Sequence, residues 1–207
     1  LHDLAAKHHA KLRFDGTVAG GLPALYIGQR DLRGALVDRL EAVPNLCTGY
    51  VMDMLADGMT WQEARKRARE AGVLEGDGSW DLEGWDAAAK LVILANAVLS
   101  EPATMEDVDL TGITELDPNR LQAARERGER YRLLATAALR PAGGYDLSVE
   151  PVGLSPDHPL GRLGEKQMGV VYETDIYGTI TSIIDEPSPV PSAATMLRDV
   201  LDMYAGT

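Results

Sequence analysis

Read for its apolar and polar positions alone, the chain changes period once. Up to about residue 130 the apolar positions recur at intervals of three and four, the helical spacing. Helices are expected over 1–11, 33–42, 48–56, 60–71, 84–99 and 118–127. The 48–56 helix turns Val51, Met52 and Leu55 inward; the 84–99 helix buries Leu91, Ile93, Leu94 and Val98. Thr60 with Glu63 three residues on makes a capping box. Asp117 before Pro118 makes an N-cap with proline at the first helical position. Residues 12–18 read as a strand ending in the turn Ala19-Gly20-Gly21-Leu22-Pro23, and 104–108 as one turn. Beyond residue 130 the period falls to two. Strands are expected over 131–139, 145–152, 168–174 and 179–184, and a proline-rich stretch then leads to a last helix over 192–203. The pattern predicts an α+β fold, with helices packed on one face of a largely antiparallel sheet.

Composition narrows the function classes. At 45% hydrophobic, the 207 residues can bury a sizeable core. Asp and Glu number 32 against 20 Lys and Arg, a net charge of -12 that repels nucleic acid and anionic membrane. No apolar run is long enough to span a bilayer, and no secretory signal is visible. The single cysteine, Cys47, forms no internal disulfide. Together these favour a cytoplasmic protein. His2, His8, His9 and His158 show no metal-ligand spacing.

The densest chemistry lies at 72–91. Five carboxylates (Glu75, Asp77, Asp81, Glu83 and Asp86) sit in a glycine-rich loop that runs into an alanine-rich helix carrying Lys90. Asp86 and Lys90 are four apart and share one helix face. A lysine over a bowl of carboxylates can bind an ammonium and move a proton. A solvated acidic loop with an ordinary helical ion pair is the bland alternative. An EF-hand is rejected, because Leu82 stands where its glycine belongs and Ala88 where its bidentate Glu belongs.

This stretch resembles homoserine dehydrogenases. That family reads roughly Gly-Tyr-Ala-Glu-Ala-Asp-Pro-Thr-x-Asp-Val-x-Gly-Tyr-Asp-Ala-Ala-x-Lys here, and Gly72 to Lys90 follows it in register without a gap. Phe14-Asp15-Gly16-Thr17-Val18-Ala19-Gly20-Gly21-Leu22-Pro23 looks like the family's Phe-Glu-Ala-x-Val-Ala-Gly-Gly-x-Pro. Tyr172-Glu173-Thr174-Asp175 with Gly178 resembles the strand and turn before its C-terminal helix. The resemblance implies the catalytic domain of a two-domain dehydrogenase that interconverts aspartate 4-semialdehyde and homoserine with NAD or NADP. Lys90 and Asp81 would be catalytic, Glu75 and Asp86 would hold the amino-acid substrate, and Gly72 would approach the cofactor. Carbonyls of Asp15, Val18, Gly20 and Leu22 would hold a monovalent cation, sodium or potassium. Residues 1–191 would form the substrate and dimerisation domain of a homodimer. Residues 192–207 would be a helix packing on a nucleotide-binding domain.

No Gly-x-Gly-x-x-Gly fingerprint occurs, and the chain begins at Leu1, so that domain is expected to precede these residues. The chain departs from the family pattern at Asn45-Leu46-Cys47-Thr48-Gly49-Tyr50, at Val73, and at Asp185-Glu186-Pro187-Ser188-Pro189. Cys47 and Val73 replace hydroxyl-bearing residues and make the pocket more apolar; Glu186 would repel phosphate. Two other readings stand beside the main one. One is a divergent member acting on another small amino or hydroxy acid; the other is a non-catalytic dimerisation module. A fingerprint upstream of Leu1 would favour an enzyme, and a native start there the module.

Overall fold

A computed structural model describes residues 1–74 and 76–204 of the chain. The alternating segments become a six-stranded sheet: β1 (Val37–Val43), β2 (Val108–Leu110), β3 (Arg130–Leu139), β4 (Tyr145–Leu154), β5 (Gln167–Thr174) and β6 (Gly178–Asp185). Their spatial order is β2-β4-β3-β1-β5-β6. All neighbours are antiparallel except β2 and β4. The helices are α1 (His2–Lys7), α2 (Ala24–Tyr26), α3 (Cys47–Ala56), α4 (Trp61–Glu70), α5 (Ser79–Leu82), α6 (Trp85–Leu94), α7 (Pro118–Glu126) and α8 (Val190–Tyr204). No helix among the described residues is long and apolar enough to cross a membrane.

Period-two alternation puts Leu40 and Ala42 of β1, Leu133, Ala135 and Ala137 of β3, and Val170 and Tyr172 of β5 in one core. Val51, Met52 and Leu55 of α3 and Leu91 and Leu94 of α6 pack into the same core. Each such fully buried leucine contributes about 1.5–3 kcal/mol. A smaller cluster joins Val43, Leu134 and Val171 to Leu154, Leu160 and Leu163, where a 3₁₀ turn, Pro159–Arg162, folds over. The expected α+β layering is what the chain adopts. The Thr60–Glu63 capping box and the Asp117 cap both form.

Three expectations for local structure are corrected. Residues 33–42 do not form a helix; Val37–Val43 is β1, paired on both sides by β3 and β5. Its Ala, Leu, Arg and Glu are good helix formers, but propensity is weaker than burial between two strands. Leu40 and Ala42 are buried in the main core, while Arg39 Nε donates to Glu41 Oε1 at 2.7 Å. Residues 12–18 do not form a strand; Thr17 donates its N–H and its hydroxyl to the Phe14 carbonyl (3.0 and 2.6 Å) and closes a 3₁₀ turn, Asp15–Thr17. The turn expected at 104–108 does form, over Met105–Asp107, and runs on into β2, which adds to the sheet beside β4. Helix α1 ends at Lys7, short of the 1–11 expected.

Candidate active site

Two left-handed glycines aim the acidic residues. Gly78 (φ +74°) opens α5 and Gly84 (φ +88°) separates α5 from α6. A side chain at Gly84 would be strained by that φ, and its Cβ would meet Leu110 Cδ1 at 2.8 Å. Asp77 Oδ1 accepts the Ser79 N–H (3.0 Å) and hydroxyl (2.9 Å) and so ties the loop to the first residue of α5. Those bonds hold the Asp77 carboxyl below its ordinary range. Asp81 rides on α5; Asp86 and Lys90 lie one turn apart on α6.

Lys90 Nζ donates to Asp86 Oδ2 at 2.8 Å and to the Pro44 carbonyl at 3.0 Å. Asn45 Nδ2 donates to the same Asp86 oxygen at 3.1 Å, and the Thr48 hydroxyl donates to Asn45 Oδ1 at 2.7 Å. The lead-in to α3 thus holds the acid–lysine pair from outside its own helix. An ammonium has three N–H groups. Lys90 spends two, and the third has no partner among the described residues. The side chains of Lys90 and Asp86 keep 20% and 23% of their surface open.

That opening is a cavity of about 770 Å³. Its walls are the Ala19–Gly20 turn, Pro44 to Cys47, Ala71 to Val73, the Asp77–Asp81 stretch, Asp86 and Lys90, the lead into β5 at Lys166 and Met168, and the lead into α8 at Glu186 to Pro189 and Ser192. Trp80 lines it, and Trp85 stacks on Trp80 with centroids 6.2 Å apart. Asp77, Asp81, Asp86 and Glu186 face Lys90 and Lys166, so the described walls are acidic by two charges. Burial, then the nearby charges of Asp81 and Asp86, push the Cys47 thiol up to about 12. Cys47 is therefore an unreactive thiol in the wall.

Of the residues singled out in the sequence, Gly72, Asp81, Asp86, Lys90 and Gly20 meet at this cavity. Glu75 lies outside the described residues. Val18 and Leu22 bury their side chains in the core, leaving only backbone groups for any ion. The Asp15 carbonyl accepts the Val18 N–H (3.2 Å) and the Leu22 carbonyl the Ala24 N–H (2.8 Å). Asp15 borders a different hollow, between α2 and α8. Its carboxylate takes the Tyr26 N–H (3.2 Å) and pairs with Arg198, and its own N–H donates to Asp199 Oδ2 (3.1 Å). Burial raises the Asp15 carboxyl to about 6 against the pull of Arg198, with Asp199 adding to the rise.

Sequence reasoning missed Asn45 and Lys166 as site residues, and it gave Glu186 no local partner. The Asn45-x-x-Thr48 spacing at a helix start is a readable signal for the first. Lys166 and Glu186 have none: they are 20 residues apart, and the antiparallel β5–β6 register, Gln167 opposite Asp185, brings them side by side. The buried Glu186 carboxylate accepts the Gly21 N–H at 3.1 Å and the Ser192 hydroxyl. A Cβ on Gly20 would sit 2.5 Å from it, so this close approach needs glycine.

Comparison with known proteins adds a family to this geometry. The family model described as homoserine dehydrogenase matches residues 23–201. A homoserine dehydrogenase of Methanocaldococcus jannaschii is 31% identical over all of this chain, which covers 60% of it. An NAD(+)-dependent homoserine dehydrogenase of Pseudomonas canavaninivorans is 28% identical over 99% of this chain, covering 58% of that protein. A solved homoserine dehydrogenase of Thermoplasma acidophilum overlays with a TM-score of 0.83 at 25% identity, across 98% of this chain and 60% of that one. The chain thus spans about 60% of the length of the curated relatives it matches.

Proposed function

The chain belongs to the homoserine dehydrogenase family, and on that premise we propose that its cavity is the substrate site of an oxidoreductase interconverting L-aspartate 4-semialdehyde and L-homoserine. The observation that carries this reading is Lys90, held by Asp86 and the Pro44 carbonyl with one N–H left for the cavity. In the reading, Lys90 gives a proton to the aldehyde oxygen or takes it from the alcohol. Asp86, with Glu75, holds the substrate ammonium, and Asp81 orients the site. Trp80 shields one side from water.

The dinucleotide, NAD or NADP, supplies or accepts the hydride when bound. Gly72 (φ +70°) lines the cavity, and a Cβ there would meet nothing within 4 Å, which suits the approach of a flat group to its backbone. The phosphates are assigned to a nucleotide-binding part that these 207 residues do not contain, with residues 192–207 docking on it. The reading further takes residues 1–191 as one domain, in a cytoplasmic homodimer. A sodium or potassium ion on the carbonyls of Asp15, Val18, Gly20 and Leu22 belongs to it too; those of Asp15 and Leu22 each already accept one N–H.

A second reading keeps the chemistry and changes the substrate. It is favoured by Cys47 and Val73, which both line the cavity without a hydroxyl group. One assay separates the two. The intact protein, with whatever flanks these residues, is given L-homoserine or 4-hydroxybutyrate, and reduced nicotinamide is followed. Higher kcat/KM for homoserine supports the acidic wall as an ammonium site. Equal or better turnover of 4-hydroxybutyrate supports a drifted substrate, and turnover of neither, with any nicotinamide dinucleotide, overturns the proposal.

A further inference from the structure

The cavity holds one charged side chain that the chemistry above does not use. Asp86 is taken by Lys90 and Asn45, Asp77 by Ser79, and Glu186 by Gly21 and Ser192. Lys166 lines the same cavity, is exposed, and its side chain makes no hydrogen bond or ion pair with a described residue. The proposed substrate is a zwitterion. Its ammonium suits the carboxylates, but its α-carboxylate needs a cation or a set of free N–H groups.

The wall around Lys166 offers almost no other donor. Pro187 and Pro189 have no N–H. The Glu186 N–H is spent on the Lys166 carbonyl (2.8 Å), the Gly21 N–H on Glu186, and the Val190 N–H on the Ser188 hydroxyl oxygen (3.4 Å). The remaining candidate receivers are the lone Ser188 N–H, which carries no charge, and the first turn of α3, beside Cys47. The field there is unfavourable to an anion, because Asp81 and Asp86 both act on the Cys47 thiol to disfavour its negative form. Lys90 is the other cation of the cavity, and it is already neutralised by Asp86.

We propose that Lys166 is the anchor for the substrate's α-carboxylate. It stands at the β5–β6 end of the cavity, and the carboxylate-bearing α6 wall at the other side receives the ammonium. This deepens the functional reading above and rests on it. The two anchors fix which way the amino acid lies and leave its reactive carbon facing Lys90. They make the site selective for a free α-amino acid over its amide or ester.

The experiment compares L-homoserine with L-homoserinamide, in which the carboxylate is a neutral amide. Calorimetry on the intact protein saturated with reduced dinucleotide, which cannot accept a hydride from the alcohol, gives both dissociation constants without turnover, for wild type, Lys166→Met and Lys166→Arg. Wild type is expected to prefer homoserine. Lys166→Met is expected to weaken homoserine by roughly tenfold or more, the worth of a charged hydrogen bond, and to leave homoserinamide within about twofold. Lys166→Arg should recover most of the loss. In steady-state kinetics the loss should fall more heavily on KM for homoserine than on kcat, because Lys90 remains. Unchanged homoserine affinity in Lys166→Met, or equal loss for both ligands, overturns the anchor while the functional reading stands. Wild type that binds neither ligand sinks the substrate reading and the anchor together.

Discussion

Two acid–base clusters in this molecule use the same side-chain chemistry for opposite ends. In one, Asp53 of α3 receives Arg130 and Arg132 of β3 and Arg125 of α7, at 2.7 to 3.4 Å. The Leu163 carbonyl accepts Arg130 and Arg132 (2.9 and 2.6 Å), and Asp57 pairs with Arg125. The Arg132 side chain is 2% exposed, and burial lowers its pKa while Asp53 pushes it back up. Both Asp53 oxygens are engaged, and the cluster ties α3 to α7, β3 and the segment before β5. In the other, Lys90 and Asp86 sit on one helix, are a fifth open, and leave an ammonium proton without a described partner. A saturated network across many elements holds a fold. A pair left one bond short beside a cavity can act on a ligand.

Exchanging the two clusters' phenotypes would break this comparison. The largest effect is expected from Lys90→Ala in the intact enzyme. Its kcat should fall roughly 10²–10⁴-fold, while unfolding free energy changes by less than about 1 kcal/mol. Steady-state kinetics with a urea melt reads both; a stability loss without a kcat loss would reverse the roles.

Asp53→Ala should do the converse. It leaves Arg130 and the buried Arg132 without a carboxylate, Arg125 keeping Asp57, and should cost about 3–5 kcal/mol in the same melt. The kcat of the protein still folded should stay within about twofold. A loss below about 1 kcal/mol would mean that the cluster is ornamental.

Asp15 sharpens the contrast as a buried acid held by only part of a network. Its folded carboxyl titrates near 6 against 3.8 for an unperturbed group, so the native state binds more protons between those values. Stability should therefore be full below about 4 and decline as pH rises to about 6. Asp15→Asn should flatten that decline. Melts at pH 4, 5 and 6 check it, and an unchanged slope would assign the decline to other groups.

The smallest effect concerns Cys47, which reports the field of the acidic wall. With its thiol pushed up to about 12, native protein at pH 8 should react with a thiol reagent far more slowly than denatured protein. Asp86→Asn should speed the reaction modestly. Equal rates in native and denatured protein would mean that the wall is neither dry nor negative.

The helix that carries Asp86 and Lys90 was legible because its information is local. Gly72 to Lys90 carries the acid spacing, the helix start and the lysine within 19 residues; Asp77, Asp81, Asp86 and Lys90 reach the cavity, while Glu83 accepts the Trp85 indole N–H outside it. The capping signals at Thr60 and Asp117 were local for the same reason. The 33–42 stretch failed because its own residues favour a helix, and only β3 and β5, about a hundred residues later, make it a strand.

By itself the sequence determined the change of period, the α+β layering, the acidic loop and the Asp86–Lys90 face, each written in neighbours within a few residues. Tertiary structure decided the rest. It chose β1 as a strand flanked on both sides, because burial between two ladders outweighs the few tenths of a kcal/mol per residue of helix propensity. It brought Pro44 and Asn45 to the lysine and acid of a helix 41 to 46 residues on. And it set Lys166 beside Glu186 in the cavity wall, because an antiparallel register pairs residues by their distance from a turn and not by their distance along the chain.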